Sequence, residues 1–150
     1  MGEIVSESDD MTVMDMEASL EHLSRGTVRH VDVLLIVTEP YYRSLETARR
    51  TLPLARKLGI NHIFAVVNKY RSKEDKQVVT DFCRNNELEI ISQIPFDENV
   101  TGADLVGKSL IDFNPTSPVV KEVEKLAATL RKRVAVNNSS ASKVLTKPNC

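Results

Sequence analysis

Apolar residues follow two alternating rhythms along the chain. Residues 31–37 (V-D-V-L-L-I-V) are nearly continuous in apolar, mostly β-branched side chains, the pattern of a strand covered on both faces. Residues 63–67 (I-F-A-V-V) and 88–94 (L-E-I-I-S-Q-I) repeat it, and residues 11–14 form a shorter first run. The stretches between them have helical period. In 44–58, Leu45, Ala48, Leu52, Ala55 and Leu58 share one face, and Gly59 supplies a left-handed stop. Pro53 removes a backbone donor there and predicts a kink or a displaced helix start. Residues 73–85 follow Ser72 as N-cap, with Asp75 three residues on, and are expected to bury Val78, Val79, Phe82 and Cys83. Ser117 and Pro118 open a last helix with the stripe Val119, Val123, Leu126, Ala127 and Leu130.

Strands alternating with helices predict an α/β fold, a mostly parallel sheet flanked by helices with right-handed crossovers. Such sheets put their chemistry in loops at the carboxyl ends of the strands. Here those loops are residues 15–19, 38–43, 68–71 and 95–99.

Composition narrows the class. With 150 residues, 41% hydrophobic, 27% charged, five glycines and six prolines, the chain is neither fibrous nor disordered throughout. A net charge of -1 gives no general attraction to nucleic acid or anionic lipid. The charge is uneven: residues 1–22 carry acids (Glu3, Glu7, Asp9, Asp10, Asp15, Glu17, Glu21) and no Lys or Arg, whereas the last 25 carry Arg131, Lys132, Arg133, Lys143 and Lys147 and no acid. Neither end interleaves aromatics with its charges, so both read as solvated: an acidic lead over 1–10, one α/β domain over 11–134 and a disordered basic tail over 135–150. Cys83 and Cys150 have no metal-ligand spacing. No apolar run approaches the roughly 20 residues of a membrane span, and the acidic start is the reverse of a signal peptide, which predicts a cytoplasmic protein without a membrane anchor.

Residues 102–109 (G-A-D-L-V-G-K-S) satisfy G-x-x-x-x-G-K-[ST] letter by letter. That loop works by leaving a buried strand directly and feeding Lys and Ser into a long helix. Here the nearest strand ends at Ile94 and Pro115 follows closely, so the match is read as chance: a short helix over 98–106 with Gly107 as its stop.

Residues 11–27 read M-T-V-M-D-M-E-A-S-L-E-H-L-S-R-G-T, an acid after a strand, a small-residue turn and a helix. This resembles the switch II segment of the MinD/ParA class of deviant-Walker ATPases, within the SIMIBI-type P-loop fold. It is most similar to the CooC-type ATPases that insert nickel during carbon monoxide dehydrogenase maturation. The likeness continues through V-D-V-L-L-I-V-T-E-P, R-S-L-E-T-A-R-R, V-V-N-K, I-P-F-D-E-N-V and S-P-V-V, to about residue 130. It implies ATP and magnesium as family ligands. Asp15 would order a water on the magnesium, Asn68 would read the adenine with Lys69 beside it, and Pro95, Phe96 and Asp97 would form the loop against the base; no residue is implied as a direct metal ligand. Taken singly, each is also an ordinary strand-end cap or turn.

Two departures bear on activity. Ser19 stands where the family has Gly in the turn that senses the γ-phosphate. The family's K-G-G-x-G-K-T loop and switch I aspartate lie upstream of switch II, where only ten residues precede Met11. The expectation is therefore the C-terminal part of such an ATPase, without hydrolysis of its own. Its partners would be a second copy, an intact homologous ATPase or a metalloenzyme client. The alternative is a non-catalytic α/β interaction module.

Overall fold

The computed structural model describes residues 12–15 and 31–141, with side chains up to 133. Three parallel strands, β1 (Leu34–Thr38), β2 (Ile63–Tyr70) and β3 (Glu89–Pro95), lie in that order. Between them run α1 (Tyr42–Lys57) and α2 (Lys73–Asn85), and after β3 come α3 (Glu98–Leu105), α4 (Leu110–Phe113) and α5 (Pro118–Ala141). The expected parallel α/β arrangement is present.

The pleat sorts the strand residues between two faces. Ile36, Ala65 and Val67 meet Ala48 and Leu52 of α1 and Val79 and Cys83 of α2 in one buried cluster. Burial pushes the Cys83 thiol up to about 11, which makes it a packing residue, not a nucleophile. On the other face Phe64 and Val66 are buried, and α5 packs against β3. Arg133 of α5 anchors there, bonded to both carboxylate oxygens of Glu89 and lying over the Phe64 ring.

Several local expectations hold. Gly59 has φ 88° and Gly107 φ 63°, and both follow helix ends as stops. Ser72 Oγ accepts from Asp75 N at 3.1 Å, while the Asp75 carboxylate accepts from Arg71 N at 2.8 Å. Other expectations change. Pro53 neither breaks α1 nor delays its start: it lies on the exposed side, where water can serve the carbonyl it leaves unbonded. The helix begins before Ser44, whose hydroxyl instead accepts from Glu39 N at 2.9 Å and bonds Thr38 Oγ1 at 3.0 Å. Val78 and Val123 are about half exposed, since each faces away from the sheet on its helix. β1 starts at Leu34, where its N–H donates to His62 O beside the first residue of β2. The last helix continues to Ala141, into the stretch read as tail.

The largest correction concerns the first strand. Residues 12–15 have no strand structure, and Val13 and Met14 are 82% and 61% exposed. A short run becomes a strand only by pairing with a neighbour, and none of the described strands borders it. Asp15 therefore does not end a strand of this sheet. The rest of the segment read as switch II, including Ser19, lies outside the described residues, as does the acidic lead.

Candidate functional site

The carboxyl ends of β2 and β3 are clasped together. Phe96 N donates to Tyr70 O at 2.9 Å, and Tyr70 pairs with Pro95 in the sheet register. The register shifts between Val67 and Tyr70, and Lys69 sits inside this irregularity with φ 55°, a left-handed conformation unusual for a residue with a side chain. The Lys69 ammonium lies 2.8 Å from Glu39 at the end of β1, and so ties the ends of β1 and β2.

Beyond β2 and β3 opens a cleft of about 500 Å³, lined by Tyr70, Arg71, Pro95, Phe96, Asp97, Glu98 and Asn99. That volume lies within the range of small-molecule sites. The Arg71 guanidinium is 3.5 Å from the centroid of the Phe96 ring, close enough for a face-on cation–π stack. Lys76 caps the Tyr70 ring in the same way at 4.1 Å.

Asp97 organises the far wall. Its Oδ1 accepts from Asn99 N at 2.9 Å and from Asn99 Nδ2 at 2.6 Å, capping α3. Its Oδ2 accepts from Ser117 Oγ at 2.6 Å, and Ser117 Oγ in turn accepts from Val119 N at 3.1 Å, capping α5. Chiefly the Ser117 bond, then those from Asn99, holds the Asp97 carboxyl below the usual carboxylate range. One side chain thus joins the cleft loop to the starts of two helices.

Of the residues singled out in the sequence, Pro95, Phe96 and Asp97 come together in this cleft. Asn68 is half-buried on β2 just before it and does not line it, and Lys69 turns to Glu39. Asp15 is exposed in its separate stretch. Arg71, Glu39 and Ser117 were not singled out as site residues. Arg71 and Glu39 lie in strand-end loops visible in the pattern, but their partners are distant in sequence.

The G-A-D-L-V-G-K-S match is not a phosphate loop in this structure. Gly102 is inside α3, Gly107 ends that helix, and Ser109 caps the single turn of α4. A Cβ on Gly102 would stand 3.3 Å from the Phe113 ring, so helix packing accounts for the glycine.

Among the described residues no group of three or more His, Cys, Asp or Glu could hold a metal ion, and no helix is long and apolar enough to cross a membrane. No protein-family model matches the chain. An uncharacterized ATP-binding protein of Methanocaldococcus jannaschii is 39% identical over 82% of this chain and 47% of its own length. The carbon monoxide dehydrogenase accessory protein CooC of Rhodospirillum rubrum is 38% identical over 87% of this chain and 48% of its own length. The crystal structure of a ParA family ATPase from Chlorobium tepidum superposes with a TM-score of 0.60 at 27% identity, over 75% of this chain and 47% of that one. The chain spans about half the length of the relatives it matches. It belongs to the CooC and MinD/ParA family of ATP-binding proteins.

Proposed function

We propose that this chain supplies the base-binding side of a CooC-like ATPase site and does not hydrolyse ATP by itself. The observation that carries this reading is the cleft at the ends of β2 and β3, where Pro95, Phe96 and Asp97 meet around a flat stacked surface. The cleft fits the base and ribose of a nucleotide. Its charged lining is one cation, Arg71, against two carboxylates, Asp97 and Glu98, a balance that disfavours a triphosphate. The phosphates must therefore point away from it. Phosphoryl transfer depends on positioning and charge stabilisation, and none of the described residues forms a phosphate-binding loop. Neither do they form a magnesium site, and the role of Asp15 toward the metal's water shell, in its separate exposed stretch, rests on the family likeness alone. In this reading Asn68 reaches the base edge from β2 just before the cleft, while Lys69, turned to Glu39, holds the strand end beside it.

The family role that follows is ATP-dependent maturation of a metal centre in the cytoplasm, nickel insertion being the instance suggested by the likeness to CooC. The chain would act with a second copy or an intact ATPase on a metalloenzyme client. Calorimetric titration with adenosine and with magnesium-ATP, beside a turnover assay, tests it: comparable affinities and no turnover are expected.

A second reading, a non-catalytic interaction module, is favoured by one feature. β1 is one of the two edge strands of the described sheet, and Val37 on it is 59% exposed although its neighbour Val66 is buried. An apolar edge strand, paired on one side only among the described strands, invites pairing with another chain. Light scattering of the wild type and of Val37→Lys separates the two: self-association abolished by the lysine, without nucleoside binding, favours the module.

A further inference from the structure

We propose that Arg71 is the stacking residue of the cleft, its guanidinium the platform on which a nucleobase rests. This builds on the base-binding reading above.

The guanidinium lies over the face of Phe96, with its carbon 3.5 Å from the ring centroid, a separation that matches a parallel stack. Phe96 is half-buried while Arg71 is exposed, so the uncovered surface of the stack belongs to the guanidinium. Among the described residues Arg71 forms no ion pair. The nearby Asp75 carboxylate is engaged instead by the Arg71 backbone N–H at 2.8 Å. That bond fixes where the side chain leaves the backbone, at the start of α2, and leaves the planar head to the ring. A surface arginine held by an aromatic face alone, at the mouth of a nucleoside-sized cleft, offers what a heterocyclic base needs: a flat, polarisable, weakly hydrated surface. Its in-plane N–H groups also remain able to donate to acceptor atoms at a base edge or ribose. Lysine could keep the charge at this position but could not supply the plane.

The probe is 2-aminopurine riboside, a fluorescent nucleoside without phosphates that is quenched when it stacks. Wild-type chain is expected to quench it, with unlabelled adenosine competing. Arg71→Lys is expected to lose the quenching and to bind about tenfold more weakly, within the range known for base stacking. Phe96→Leu, which removes the ring beneath the platform, is expected to weaken binding in the same direction. Circular dichroism verifies that the variants stay folded, and the exposed position of Arg71 makes its replacement mild. If Arg71→Lys quenches and binds like wild type, the stacking role is overturned while the nucleoside site stands. Absence of any adenosine-competed binding by wild type overturns both.

Discussion

Replacing Ser117 by alanine probes the side-chain bond between Asp97 and Ser117 that joins the cleft loop to α5. Ser117 is 1% exposed, and its hydroxyl both donates to Asp97 Oδ2 and accepts from Val119 N. Alanine removes both bonds. Loss of the helix cap costs about 1 kcal/mol. Asp97 lies half-buried at the rim of an open cleft, so water can take up the freed carboxylate oxygen and the cap sets the scale. Urea unfolding should therefore give a stability lower by about 1 kcal/mol, roughly a fivefold change in the folding equilibrium. A second readout is the Asp97 titration, followed by NMR of its carboxyl carbon. The Ser117 bond is the foremost cause of the depressed Asp97 pKa, so in the variant that pKa moves up toward the ordinary aspartate value. A folded pKa below the unfolded one gives stability that is fully present above the unfolded value, near about 3.9, and is lost as pH falls through the folded value. Ser117→Ala should thus lose less stability than wild type between neutral pH and that acidic window. An unchanged Asp97 titration would refute the reasoning, and so would a loss above about 3 kcal/mol, which would mean that the carboxylate is not rehydrated.

Leu52→Ala, at a 3% exposed position where α1 wedges onto the sheet, should cost about 2–5 kcal/mol in urea unfolding. A loss below about 1 kcal/mol would mean that this face of the sheet is not packed as described. Lys108→Ala should leave adenosine and ATP affinities unchanged, because Lys108 follows a helix stop and lies outside the cleft. A tenfold weaker binding of ATP alone would restore the phosphate-loop reading of residues 102–109.

Features set by a few neighbouring residues were legible in the sequence. The stops at Gly59 and Gly107 and the cap at Ser72 depend on local backbone conformation and side chains within one turn. So did rejection of the phosphate-loop match, since the strand and long helix it needs were visibly missing around it. The expected first strand failed at its described residues 12–14 because pairing is a property of two segments, and their pattern names no partner. The inward faces of α2 and α5 were only partly right at Val78 and Val123, because an apolar stripe does not say how wide a surface will meet it. Phe96 was identified from its motif, but the guanidinium upon it comes from a loop at the end of another strand. That contact depends on the irregular end of β2 at Lys69, which no residue pattern announced.

The central claim is that these residues hold the base side of a nucleotide and not its phosphates. Calorimetry of the isolated chain with adenosine, ADP and magnesium-ATP, in one buffer, tests it most directly. Three affinities within about threefold of one another are expected, since phosphate contacts of about 1.5–3 kcal/mol each are not made. Magnesium-ATP binding more than about thirtyfold tighter than adenosine, equivalent to about 2 kcal/mol, would contradict it.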